Sequence, residues 1–132
     1  MNITQGLLDT LTEQARTSSR LRMNYDLRNS DKDLSQRMLN AIEPGTIMPI
    51  HRHRHSSETI ACLRGRFVIE LYDELERICT DRIELSPNGP MVAINIPLGQ
   101  WHSLRSLESG TVLLEAKDGP WEPLGEEDIL KL

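Results

Sequence analysis

From residue 36 onward, turn-forming residues cut the chain into eight short segments, and that spacing leaves few folds open. The breaks are Pro44-Gly45, Gly65, Asp73-Glu74, Pro87-Asn88-Gly89-Pro90, Pro97-Leu98-Gly99 and Ser109-Gly110. The segments between them are 36–43, 47–54, 58–64, 66–73, 77–84, 91–96, 101–107 and 111–116. All are too short for typical helices and have the length of strands. In one of them Phe67, Ile69 and Leu71 alternate with Val68, Glu70 and Tyr72, the two-residue period of a strand with one face in a core. Short strands, each ended by turn chemistry, predict an all-β chain closed into an antiparallel barrel or jelly roll.

The N-terminal part follows another period. Ile3, Leu7, Leu8, Leu11 and Ala15 lie near helical spacing, and Asp9, Glu13 and Arg16 fill the opposite face, which predicts an amphipathic helix over residues 3–16. Residues 17–33 are rich in turn formers and read as a linker wrapping the domain. The expected organisation is therefore one domain, with residues 1–30 as helix and wrapping segment and 31–132 as the barrel. Only five aromatic residues are present, so the core has to be built from Leu, Ile, Val and Met.

A net charge of −5 argues against a nucleic-acid partner, which needs a basic face. No apolar run approaches the ~20 residues of a spanning helix, so no membrane partner is expected. Cys62 and Cys79 show neither metal-binding nor disulfide spacing, which fits a reducing, cytoplasmic setting, with Cys62 a buried apolar side chain.

The four histidines carry the chemistry. Three stand in His51-Arg52-His53-Arg54-His55 and the fourth is His102. Alternate residues of a strand share a face, so His51 and His53 point the same way and Arg52 and Arg54 the other. Glu58 begins the next strand after Ser56-Ser57, where its carboxylate can return to the same point. His102 lies on a separate strand that closure of the sheet would bring opposite. Three imidazoles and a carboxylate suit one divalent transition ion (Fe, Mn, Ni, Zn, Cu or Co) and leave coordination positions for a guest. Glu58 is also the candidate for acid–base work. His55 shares the parity of the other two but sits on the rim. Arg20, Arg22, His55 and Lys117 are candidates for contacting a small-molecule ligand, the basic ones by orienting an anion.

The spacing Gly45, His51-x-His53, Glu58, Gly65, followed by Pro97-x-Gly99-x-x-His102, resembles the two motifs of the cupin superfamily. Nearly the whole chain resembles the WbuC-type cupin-fold metalloproteins, through SRLRMN (19–24), QRMLNAIEPGT (36–46), HRH and ET (51–53, 58–59), LRG (63–65), PLGQWHSL (97–104) and LLEAKDGPWEP (113–123). Two positions depart from the second motif: Met91 stands where a glycine opens it, and Ser106 where an Asn ends it. Neither supplies a ligand. The resemblance implies a cupin barrel with His51, His53, Glu58 and His102 as metal ligands. It also implies a place in surface-polysaccharide synthesis, with a sugar or nucleotide-sugar as substrate. Isomerase- or oxygenase-type chemistry is the expectation. A non-catalytic binding module and a metal-free epimerase using a His base are the alternatives. Exposed edge strands lead us to expect a homodimer.

Overall fold

Thr4 starts the helix. Its hydroxyl accepts a hydrogen bond from the Leu7 N–H at 3.1 Å, satisfying a donor that a helix N-terminus leaves free. In the computed structural model, which describes residues 1–132, α1 then runs Gln5–Thr17. Leu8, Leu11 and Ala15 fall on one stripe of it and are buried.

Ten strands follow: β1 (Arg22–Asp26), β2 (Gln36–Ile42), β3 (Ile50–His51), β4 (Glu58–Arg64), β5 (Phe67–Asp73), β6 (Ile78–Leu85), β7 (Ala93–Ile96), β8 (Trp101–Ser106), β9 (Val112–Lys117) and β10 (Ile129–Leu130). They form two five-stranded antiparallel sheets, ordered β1-β2-β9-β4-β7 and β10-β3-β8-β5-β6. The all-β class with an N-terminal helix is as the sequence predicts.

β2, lying under α1, is buried on both faces. Its residues Leu39 and Ala41 meet Leu8, Leu11 and Ala15 of α1, forming one apolar cluster with Val112. Ile42, of the opposite parity, points between the sheets and packs with Ile60, Phe67, Ile69, Leu85 and Leu113. Cys62 belongs to this inner cluster, and burial pushes its thiol up to about 11, so it behaves as the apolar side chain expected.

Three segments differ from the sequence reading, one of them the unexpected short strand β10. Residues 22–26 are not linker: β1 pairs along β2 from Arg22↔Ile42 to Asp26↔Met38. Met23 and Tyr25 alternate against the α1 cluster, a period-two signal only two residues long and masked by the turn formers around it. The segment predicted as strand over 47–54 keeps only Ile50–His51 in the ladder. Pro49 has no N–H to donate, and the chain beyond His51 must bend to deliver Glu58 to the other sheet.

Candidate metal centre

Strand register decides which side chains share the interior, because directly opposed residues point to the same face. On the first sheet Glu58 and Gln36 flank Lys117, Ile60 and Met38 flank Glu115, and Cys62 and Asn40 flank Leu113. Ile60, Cys62 and Leu113 are core residues, so Glu58, Lys117, Glu115 and Asn40 also face inward. The row continues onto β1, where Arg22 opposes Ile42. On the second sheet His51 opposes His102 directly, and His102 opposes Leu71. A Gly99 N–H bond to the His53 carbonyl, 2.9 Å, ties the turn before His102 to the histidine segment.

Four donor atoms converge there. One ligand atom each from His51, His53, Glu58 and His102 lie within 4.8 Å of one another. Three of these residues are buried: His51 at 9%, Glu58 at 4% and His102 at 3% exposure. His102 Nε2 is 2.8 Å from Glu58 Oε1, and His53 Nε2 is 3.7 Å from the same oxygen.

Backbone carbonyls fix how two of the rings present themselves. His51 Nδ1 lies 2.9 Å from the Pro49 carbonyl, and His102 Nδ1 lies 2.8 Å from that of Gln100. A carbonyl only accepts, so each Nδ1 carries the hydrogen, and in the neutral ring each Nε2 offers its lone pair to the centre. The 2.8 Å contact then sets a nitrogen lone pair against a carboxylate oxygen, an arrangement that needs a proton or a cation between them. His53 Nε2 is buried without any hydrogen-bond partner. Leaving such a group unpaired is costly. Three imidazole nitrogens and one carboxylate therefore fit a divalent transition ion.

Electrostatics agree. Burial, helped by the facing His102 ring, pushes His51 down to about 4. Burial and the charge of Lys117 do the same to His53, also to about 4. Burial alone would raise Glu58, but the hydrogen bond and charge of His102, with Lys117, outweigh it and bring the carboxyl to about 2. Glu115 goes the other way, to about 6, through burial and the charge of Glu58.

These shifts have a consequence for metal-free protein. The two histidines stabilise the fold above their unfolded value of 6.5, and that contribution is lost as pH falls toward 4. Glu58 adds its own loss between 4.5 and 2. Glu115 opposes them, since its protonation below about 6 favours the fold, but its window is narrower and it is one group against two. The Tm of chelator-treated protein is therefore expected to fall steadily from about pH 6.5 to about pH 4. A flat or rising Tm across that range would contradict this balance.

The remaining predicted residues divide. Arg20, Arg22 and Lys117 line a cavity of about 190 Å³ that contains all four donors. A wider depression of about 750 Å³ opens above it, sharing His51 and His53 and walled by the tail around Trp121. His55 lies on this rim, exposed, with Nδ1 2.9 Å from a Glu122 carboxylate oxygen, and is not among the four donors. Arg52 and Arg54 do not line the smaller cavity but do line the wider depression. Both contact Asp128, and Arg52 stacks over Trp101 at 4.6 Å.

Sequence reasoning missed four contributors. Glu115 gives a signal in hindsight, as an acidic residue of inward parity in the apolar run Leu113-Leu114-Glu115-Ala116. The orienting carbonyls of Pro49 and Gln100 give none, because every residue has a carbonyl. Asp128 reaches the histidine segment only because β10 pairs with β3, Ile129 opposing His51.

The same architecture recurs in solved structures. KdgF from Halomonas sp. superposes with a TM-score of 0.62 at 14% identity, over 80% of this chain and 85% of KdgF. The cupin domain of Cnp3 from Schizosaccharomyces pombe gives 0.59 at 11% identity, over 74% of this chain and 64% of that one. The capsular polysaccharide assembling protein CapF from Staphylococcus aureus gives 0.63 at 21% identity, covering 88% of this chain but only 33% of CapF. At these identities the likeness establishes the cupin fold. No curated protein matches the chain in sequence. No helix is long and apolar enough to cross a membrane. A family model does match, over residues 3–85, well over half the chain; on a cupin fold, this chain therefore belongs to the family described as domain of unknown function DUF6016.

Proposed function

We propose that this chain is a metal-dependent cupin of the WbuC type that acts on a small hydroxylated metabolite, a sugar or nucleotide-sugar, by proton-transfer isomerisation. His51, His53, Glu58 and His102 would hold one divalent transition ion. The observation that carries this is the convergence of four donor atoms within 4.8 Å, two of the rings turned by backbone carbonyls so that Nε2 faces inward. When bound, such an ion supplies Lewis acidity toward a carbonyl or paired hydroxyls. The protein does the rest. Lys117, with Nζ 3.9 Å from Glu58, and Glu115 are ionisable groups beyond the four donors, available to hold or pass a proton. Their presence favours a catalyst over a passive binding module. The tail LLEAKDGPWEP and the likeness to CapF support a role in surface-polysaccharide synthesis.

Elemental analysis of protein purified without affinity tag or chelator is expected to find close to one equivalent of a transition metal. Protein that carries none, and rebinds none after dialysis against Mn, Fe, Ni and Zn salts, would overturn the proposal.

A further inference from the structure

Apart from Arg20, Arg22 and Arg77, every arginine of the chain has a carboxylate oxygen within 3.9 Å. Arg77 is satisfied by the Lys131 carbonyl at 2.8 Å. The other two line the cavity that holds the four donors. The Arg22 guanidinium has one hydrogen-bond partner, the Met48 sulfur at 2.6 Å, a weak acceptor. The Arg20 side chain has no hydrogen-bond partner, only its backbone N–H being bonded, to Ser18. Lys117 joins them from β9, its ammonium 3.9 Å from Glu58 and beyond hydrogen-bond reach.

Three cations thus face one small cavity against two carboxylates, Glu58 and Glu115, in a chain whose net charge is −5. If Glu58 is committed to a divalent ion, the local balance is strongly positive. Every other arginine except Arg77 is paired with an acid, whereas Arg20 and Arg22 have no oxygen acceptor on their guanidinium groups. Planar guanidinium groups with open donors fit the paired oxygens of a carboxylate or a phosphate. Trp121, 62% exposed, lines the same cavity and offers a flat apolar face of the kind on which a sugar ring rests. The cavity is below the size of drug-sized sites, so the group taken inside is small.

We infer that Arg20, Arg22 and Lys117 form an oxyanion-recognition site beside the donor cluster, and that the ligand is a small sugar bearing a carboxylate or a phosphate. The inference rests on the proposed metal centre, because it places the anion next to the ion.

Calorimetric titration of glucuronate, glucose 6-phosphate and glucose into metal-loaded protein tests it, with metal content measured on the same samples. At least one of the two anionic sugars is expected to bind about tenfold or more tightly than glucose, the scale of a charge-assisted hydrogen bond. R22Q should remove most of that margin while retaining its metal, and R22K should restore part of it, which loss of packing alone would not give. Glucose binding as tightly as both anions, no binding of either anion, or a margin that survives both R22Q and K117Q would overturn the inference. Failure of the metal centre shows separately, as wild-type protein without metal; failure of anion recognition shows as a missing margin with metal present.

Discussion

Replacing His102 with alanine is expected to abolish stoichiometric metal binding, lowering affinity by more than about 100-fold, since loss of a mere supporting partner of a metal ligand already costs 10- to 100-fold. His102 Nε2 makes the shortest contact among the four donors, and its ring has no other role in sight: its Nδ1 is occupied by the Gln100 carbonyl. Truncation also strips Glu58, 4% exposed, of its nearest partner, so some stability will go with the metal. Glu58→Gln separates the two effects. It preserves volume and removes the charge, and it should lose affinity with a smaller change in the Tm of the metal-free protein. His55→Ala is the control: that ring is exposed and paired with Glu122, and its loss should leave metal content unchanged. Metal analysis after equilibrium dialysis checks all three. Full occupancy in H102A would contradict the account.

The second large effect belongs to the scaffold. Gly65 closes the turn between β4 and β5 at φ +79°, a left-handed backbone that side chains disfavour. A Cβ built there would stand 2.4 Å from Thr111 Oγ1 and 2.7 Å from Thr111 Cα. Thr111 has nowhere to go. It is fully buried, and its hydroxyl bonds the carbonyls of Glu108 and Arg66 at 2.7 and 3.1 Å. Gly65→Ala therefore combines backbone strain of about 1–2 kcal/mol with overpacking of about 1–3 kcal/mol. Against a typical total of 5–15 kcal/mol, Tm should drop by roughly 10 °C or more. Gly110→Ala isolates the backbone term, since φ there is +87° and nothing lies within 4 Å of the added carbon. Its loss should be less than half as large. Equal losses at the two positions, read by thermal unfolding, would contradict the packing argument.

Much of this was legible in the sequence because it rests on local periodicity. The parity of His51, His53 and Arg52 follows from strand alternation, and the turn residues mark where β4, β5, β8 and β9 begin and end. What could not be read depends on register between distant segments. Nothing near Arg22 announces that β1 will pair with β2, and only that pairing turns Arg22 toward the cavity. Glu115 needs the Ile60↔Glu115 register before it becomes a neighbour of Glu58. Asp128 holds Arg52 and Arg54 because β10 lies beside β3, a two-residue pairing too short to leave a pattern. Long-range pairing is set by the whole barrel, whereas the donors' identities are set by the chemistry each position must supply.

The central claim is that one ion is shared by four side chains delivered from three strands and a bend. Anomalous diffraction at the absorption edge of the metal found by elemental analysis tests it most directly. One peak is expected at roughly 2.0–2.2 Å from the Nε2 atoms of His51, His53 and His102 and from a Glu58 oxygen. A metal peak elsewhere, or crystals grown with the metal present in which His102 meets Glu58 with no peak between them, would contradict it.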